Sequence, residues 1–146
     1  DSDGFRNGMD QCPTIAEDRL APYPNDGCAA AAWSASATPN LKTVDNGSAC
    51  TSLSVTSTTG AASVAKLNIS GTHSYRSVLR GTLAHNGTTV EAFPMATFAG
   101  GSGTFSLTNR PIAMPAGAAA GTWTLCIFDT DGFGDTGVLS NWSVHN

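Results

Sequence analysis

Along most of this chain, apolar and polar residues alternate in short runs separated by glycine- and asparagine-rich turns. From Gly121 to Asp129, Trp123, Leu125 and Ile127 fall on one side of an extended segment, and Thr124, Cys126 and Phe128 on the other. From Val138 to Val144, Val138, Trp142 and Val144 share a face interrupted by the small Ser140. A glycine- and aspartate-rich turn joins the two runs, which predicts either a hairpin or two neighbouring strands of a sandwich. Large apolar groups on both faces suit a sandwich interior better than an edge ribbon.

The same period recurs upstream. Leu53 and Val55 share a face within Thr51 to Thr58, and Val64, Leu67 and Ile69 do so, less cleanly, within Val64 to Ser70. Tyr75 to His85 and Thr88 to Phe93 flank Asn86-Gly87, the dipeptide of a type I′ turn, and predict a hairpin. Gly100 to Gly103 reads as a loop, Phe105 to Leu107 as a short strand, and the Pro- and Ala-rich stretch from Pro111 to Gly121 as an irregular connection. About seven or eight short strands with no long helix predict an all-β fold, an antiparallel β-sandwich of jelly-roll type. Thr14 to Asn40 lacks this pattern. Pro22, Pro24, Pro39 and the turn Asn25-Asp26-Gly27 break it up, and Ala29 to Trp33 is too short to hold a helix alone. The expected organisation is an irregular arm over residues 1–38 and a sandwich over 39–146.

Composition narrows the class. A length of 146 residues suits one ordinary core. Only 12% of residues are charged, while Gly, Ser, Thr, Ala and Asn abound, as in an extracellular β-protein with many turns. A net charge of −4 with no basic stripe argues against nucleic acid. No apolar run reaches membrane-spanning length, and neither an initiator Met nor a secretory leader is present, so a mature or excised piece is expected. Four cysteines, none in a CxxC pair, suggest two disulfides and an oxidising, secreted setting. Three pairings exist; Cys12–Cys28 within the arm and Cys50–Cys126 between an early and a late strand are the expected ones.

Two stretches carry candidate chemistry. Asp1 and Asp3 alternate before the turn at Gly4, and Asn7 and Asp10 add oxygens, the kind of donor set a hard cation such as Ca2+ takes. The late Glu and following helix of an EF-hand are missing. Asp129, Asp131 and Asp135 crowd one turn and repel unless exposed or neutralised by a cation, which makes them a second candidate Ca2+ site. The competing reading is a solvated turn in which aspartates cap backbone amides. Asp135-Thr136-Gly137 occurs once, whereas an aspartic protease needs two such carboxylates. His73, His85 and His145 lie in no context that would pair them with a nucleophilic serine. No catalytic residue is expected. Sugar stacking would need exposed aromatics among Trp33, Trp123 and Trp142; Trp123 and Trp142 sit in strand patterns that assign them to the core, while Trp33 stays open.

Asp1 to Pro13 resembles a thrombospondin type-3 repeat, with Asp1 and Asp3 at its second and third acidic positions, Asn7-Gly8 at its DG, Asp10 at the later Asp, and a closing Cys12-Pro13. Three further segments resemble the P domain that follows the catalytic domain of kexin- and furin-like subtilisin proteases. They are Val44 to Ser48 with Leu53 to Ser57, Ile69 to Val90, and Gly121 to Val144. The order and spacing agree over about residues 39 to 146. Ser77 and Val78 depart from the family's Gly and Asp after Tyr-Arg, and the stretch between Phe93 and Gly121 is shorter. The resemblance implies a noncatalytic, calcium-dependent accessory sandwich, a monomer whose partner is the catalytic domain of a parent protease, with protein or polysaccharide substrate as a further partner and no membrane. The alternative is a substrate- or carbohydrate-binding module of another secreted hydrolase.

Overall fold

Strict alternation gives each strand one row of side chains to bury, and two sheets meeting face to face bury both rows. The computed structural model describes residues 32–57 and 60–146, and there the chain forms nine strands. These are β1 (Ser34–Ala37), β2 (Leu41–Lys42), β3 (Gly47–Val55), β4 (Lys66–His73), β5 (Leu79–His85), β6 (Thr88–Phe93), β7 (Gly103–Pro111), β8 (Gly121–Asp129) and β9 (Gly137–His145). One sheet has the order β1-β9-β4-β7, with β2 also on β9; the other has the order β3-β8-β5-β6. All pairings between these strands are antiparallel, so the expected β-sandwich forms.

The core lies between the sheets. From one come Leu67, Ile69, Phe105, Leu139, Trp142 and Val144, and from the other Leu53, Leu79, Leu83, Phe93, Trp123, Leu125 and Ile127. Trp123 is fully buried, and its indole N–H donates to the Ala119 carbonyl at 2.8 Å. His85 stacks on it at 4.0 Å between ring centroids, with ring nitrogens 3.0 Å from the Thr122 carbonyl and 2.8 Å from that of Ala118. Trp33 also stacks against it, at 5.6 Å, and its indole N–H donates to the Ala61 carbonyl. All three tryptophans are therefore interior, including Trp33, and none offers a platform for a sugar ring.

Several local expectations change. The β8 and β9 strands do not pair but lie in opposite sheets, which selects the neighbouring-strand reading over the hairpin. In β9 the inward row shifts. Gly71 pairs with Leu139 but Ser70 pairs with Asn141, so Ser140 is the extra residue of a bulge, and Leu139 rather than Val138 is buried. The strand expected from Tyr75 starts only at Leu79, because Arg76–Val78 winds into a 3-10 turn. Arg76 fixes that turn by donating to the carbonyls of Gly101 and Thr104. The β1 strand alternates only serine with alanine, a pattern too weak to announce it. Its anchor is Trp33, whose N–H donates to Asn146 Oδ1 and whose carbonyl accepts from the Asn146 N–H. The hairpin at Asn86-Gly87 is as expected, with φ of +46° and +77°.

Cys50 and Cys126 face each other across β3 and β8 and form a disulfide on the outer side of the sheet. Cys12 and Cys28 lie outside the described residues, as do Asp1, Asp3, Asn7 and Asp10. No helix among the described residues is long and apolar enough to cross a membrane. The register places the loops 43–46, 74–78, 94–102 and 130–136 at one pole of the sandwich, where β3, β5, β7 and β9 begin.

Candidate metal centre

The inward rows of the two sheets do not end in apolar residues. In β8 the row Trp123, Leu125, Ile127 continues to Asp129, and in β4 the row Leu67, Ile69, Gly71 continues to His73. Because the sheets face each other, the two polar residues meet at the loop pole, with His73 Nε2 3.2 Å from Asp129 Oδ2 and both side chains sealed from solvent. Gly137 makes this possible. A Cβ there would lie 2.2 Å from His73 Cδ2 and 2.5 Å from the Thr72 carbonyl. Tyr75 brackets the other ring nitrogen, with its N–H 3.2 Å and its carbonyl 3.0 Å from His73 Nδ1.

Asp129 belongs to a cluster with Asp45 and Asp131, in which each residue offers one carboxylate oxygen within 4.8 Å of the others. Burial pushes the Asp129 carboxyl above the usual carboxylate range. The Asp131 N–H and the His73 ring oppose this, and the Asp131 and Asp135 carboxylates add to it. Asp131 Oδ1 is buried without a hydrogen-bond partner among the described residues, and Asp129 Oδ2 has His73 Nε2 beside it at 3.2 Å without an aligned hydrogen bond. Buried oxygens left without donors are costly unless something positive approaches them. The donor set therefore fits a hard cation, since this group of three carboxylates could hold a metal ion.

Asp135 stands apart. Its Oδ1 accepts from the Ser74 hydroxyl at 2.6 Å, and Ser74 Oγ in turn accepts from the Thr136 N–H. Asp45 holds the loop from the other side, as Oδ1 accepts from the N–H groups of Gly134 and Asp135 at 3.1 and 3.2 Å. Thus, of the three aspartates expected together, Asp129 and Asp131 join the cluster, Asp135 braces the loop, and the third member, Asp45, comes from a distant turn. Asp45 has no acidic neighbour in sequence to mark it. His73 likewise escapes a reading based on catalytic motifs, although its place in the alternating row marks it as interior.

No family model matches the chain, and no curated protein does. Among solved structures, a chain in the complex of the serine protease from Aeromonas sobria with the chaperone ORF2 superposes with a TM-score of 0.54 at 12% identity. The alignment covers 77% of this chain and 26% of that one, so this chain spans about a quarter of its length. FlhE gives a TM-score of 0.40 at 18% identity, covering 79% of this chain and 93% of that one. Dimeric latent PorU from Porphyromonas gingivalis gives 0.42 at 10%, covering 78% and 12%. At such identities the likeness to the Aeromonas complex describes the fold alone, a β-sandwich also found in a structure of a protease and its chaperone.

Proposed function

We propose that this chain is the noncatalytic accessory domain of a secreted, calcium-dependent protease, built like a P domain and packing on the catalytic domain to stabilise it. One observation carries the reading. The three segments that resemble P domains are far apart in sequence, yet each contributes to a single cluster: Asp45 from the first, His73 from the second, Asp129 and Asp131 from the third. Shared packing alone would not bring a polar residue from each to one place, where His73 and Asp129 are buried, Asp131 is half-buried and Asp45 is exposed.

Ca2+ is the cation this set suits. Carboxylate oxygens are hard donors, and calcium tolerates the irregular geometry of loop aspartates, completing its shell of six to eight oxygens with carbonyls and water. The ion would join the 43–46 turn to the start of the 130–136 loop and neutralise carboxylates that otherwise repel. His73 would hold Asp129 from the core side. Arg76 and the Ser74–Asp135 side-chain pair keep the neighbouring loops in place, and the Asp135 N–H ties its loop to Asp45.

The test uses the protease polypeptide with and without this domain. Removal of the domain should lower the temperature of catalytic inactivation and make that temperature insensitive to calcium at this site, while the purified domain should cleave no peptide bond. Unchanged inactivation after removal would sink the reading.

A further inference from the structure

Exposed large apolar residues are ordinary when scattered. Here they are not scattered. Among the described residues they are Val44, Tyr75, Met95 and Phe133, and all four lie in the loops of the pole that carries the acidic cluster. Phe133 is 89% exposed at the tip of the 130–136 loop. Contacts join these loops into one surface. Asp45, next to Val44, accepts from Gly134 and Asp135 beside Phe133. Ser74, next to Tyr75, binds Asp135, and the Thr130 hydroxyl reaches both the Val78 carbonyl and Met95 Sδ. The ring of Phe133 is thus presented on a braced loop, which keeps the entropy cost of docking it low.

Charge identifies what would cover it. The four loops carry Asp45, Asp131 and Asp135 against one cation, Arg76, and that guanidinium is turned down onto the carbonyls of Gly101 and Thr104. A bound dication does not reverse the balance. It leaves one negative charge on Asp45, Asp129 and Asp131 together, and Asp135 adds another. A second copy of this pole would bring like charges together, and an apolar partner alone would strand the carboxylates.

We propose that this pole docks onto a folded protein surface that offers an apolar recess for Phe133, edged by lysine or arginine side chains. The inference rests on the accessory-domain reading, within which that surface belongs to a neighbouring domain of the same protease. A photo-reactive phenylalanine analogue placed at Phe133 of the protease polypeptide, and separately at exposed Ala116 at the opposite pole, tests it by mass spectrometry of the cross-links. Cross-links from position 133 into a neighbouring domain, beside basic residues, and none from position 116 are expected. Cross-links from 116 instead would overturn the docking surface while leaving an accessory domain that packs by its other pole. Position 133 cross-linking to lipid or to a second copy would also overturn it. Absence of any link to another domain would remove both readings. Phe133→Ser supplies a second measurement. The isolated chain should melt unchanged, whereas cleavage between domains by a trace protease should speed up about tenfold or more, as expected on losing a buried aromatic anchor. Equal cleavage rates would overturn the proposal.

Discussion

Chelation separates the acidic cluster from every other source of stability. A ligand that binds only the folded chain at about 100 times its dissociation constant adds about 2.7 kcal/mol. For a domain of this size roughly 3 °C of Tm accompanies each kcal/mol, so calcium should raise the melting temperature by about 8 °C over the same chain in EGTA. The structure then divides the aspartates. Asp45→Asn keeps an amide oxygen to accept from Gly134 and Asp135, so it should leave the EGTA value nearly unchanged and lose most of the calcium gain. Asp129→Asn should lose the gain too, while melting no lower than the parent in EGTA, because a buried carboxylate without its ion is relieved of its charge. Asp135→Asn, bonded to Ser74 outside the cluster, should retain the full gain. Differential scanning calorimetry with the free calcium buffered reads all of these. A gain that survives both Asp45→Asn and Asp129→Asn but vanishes with Asp3→Asn would put the ion in the arm and refute the cluster.

Three further outcomes are expected. In EGTA, the raised Asp129 carboxyl contributes stability that is fully present below the ordinary carboxylate value. As pH rises the unfolded chain sheds its proton first, so this contribution falls until the folded carboxyl has ionised; urea midpoints against pH for the parent and Asp129→Asn should diverge in that sense, and a parent that instead gains on the variant with rising pH would contradict it. Trp142 Nε1 is buried without a hydrogen-bond partner among the described residues, whereas Trp123 Nε1 donates to Ala119. Trp142→Phe should therefore cost at least about 1 kcal/mol less than Trp123→Phe, in which a buried carbonyl loses its donor; chemical denaturation would show equal losses if this were wrong. Cys50 and Cys126 are separated by 76 positions, so opening their disulfide should cost about 4 kcal/mol on the chain-entropy argument, or roughly 12 °C. Melting of the Cys50→Ala/Cys126→Ala chain checks this, and an unchanged Tm would reject it.

Parity made much of the sandwich legible. Leu53 and Val55, Leu67 and Ile69, and Trp123, Leu125 and Ile127 bury the side their alternation assigns them. The same parity, carried one step further, puts His73 and Asp129 inside, so half of the cluster was written in the rows that end in them. Asp45 was not. Its partners are about 90 positions away, and the pairings of β3 with β8 and of β2 with β9 bring its turn beside theirs. The bulge at Ser140 was also hidden, because inserting one residue reverses the faces on either side without changing composition. The β1 strand, read from Ser-Ala-Ser-Ala alone, has only the methyls of Ala35 and Ala37 to bury; the indole of Trp33 and the backbone bonds of that residue to Asn146 place it.

That pairing of Trp33 with Asn146 has a topological consequence. The backbone enters and leaves the sandwich at one point, opposite the pole of loops, so the domain is in effect a closed ring with a small gap. A few residues joining Asn146 to Trp33, with the chain reopened in the glycine-rich stretch 100–103, should yield a circular permutant with the same two sheets. The whole unit could equally be grafted into a surface turn of an unrelated host without stretching either end.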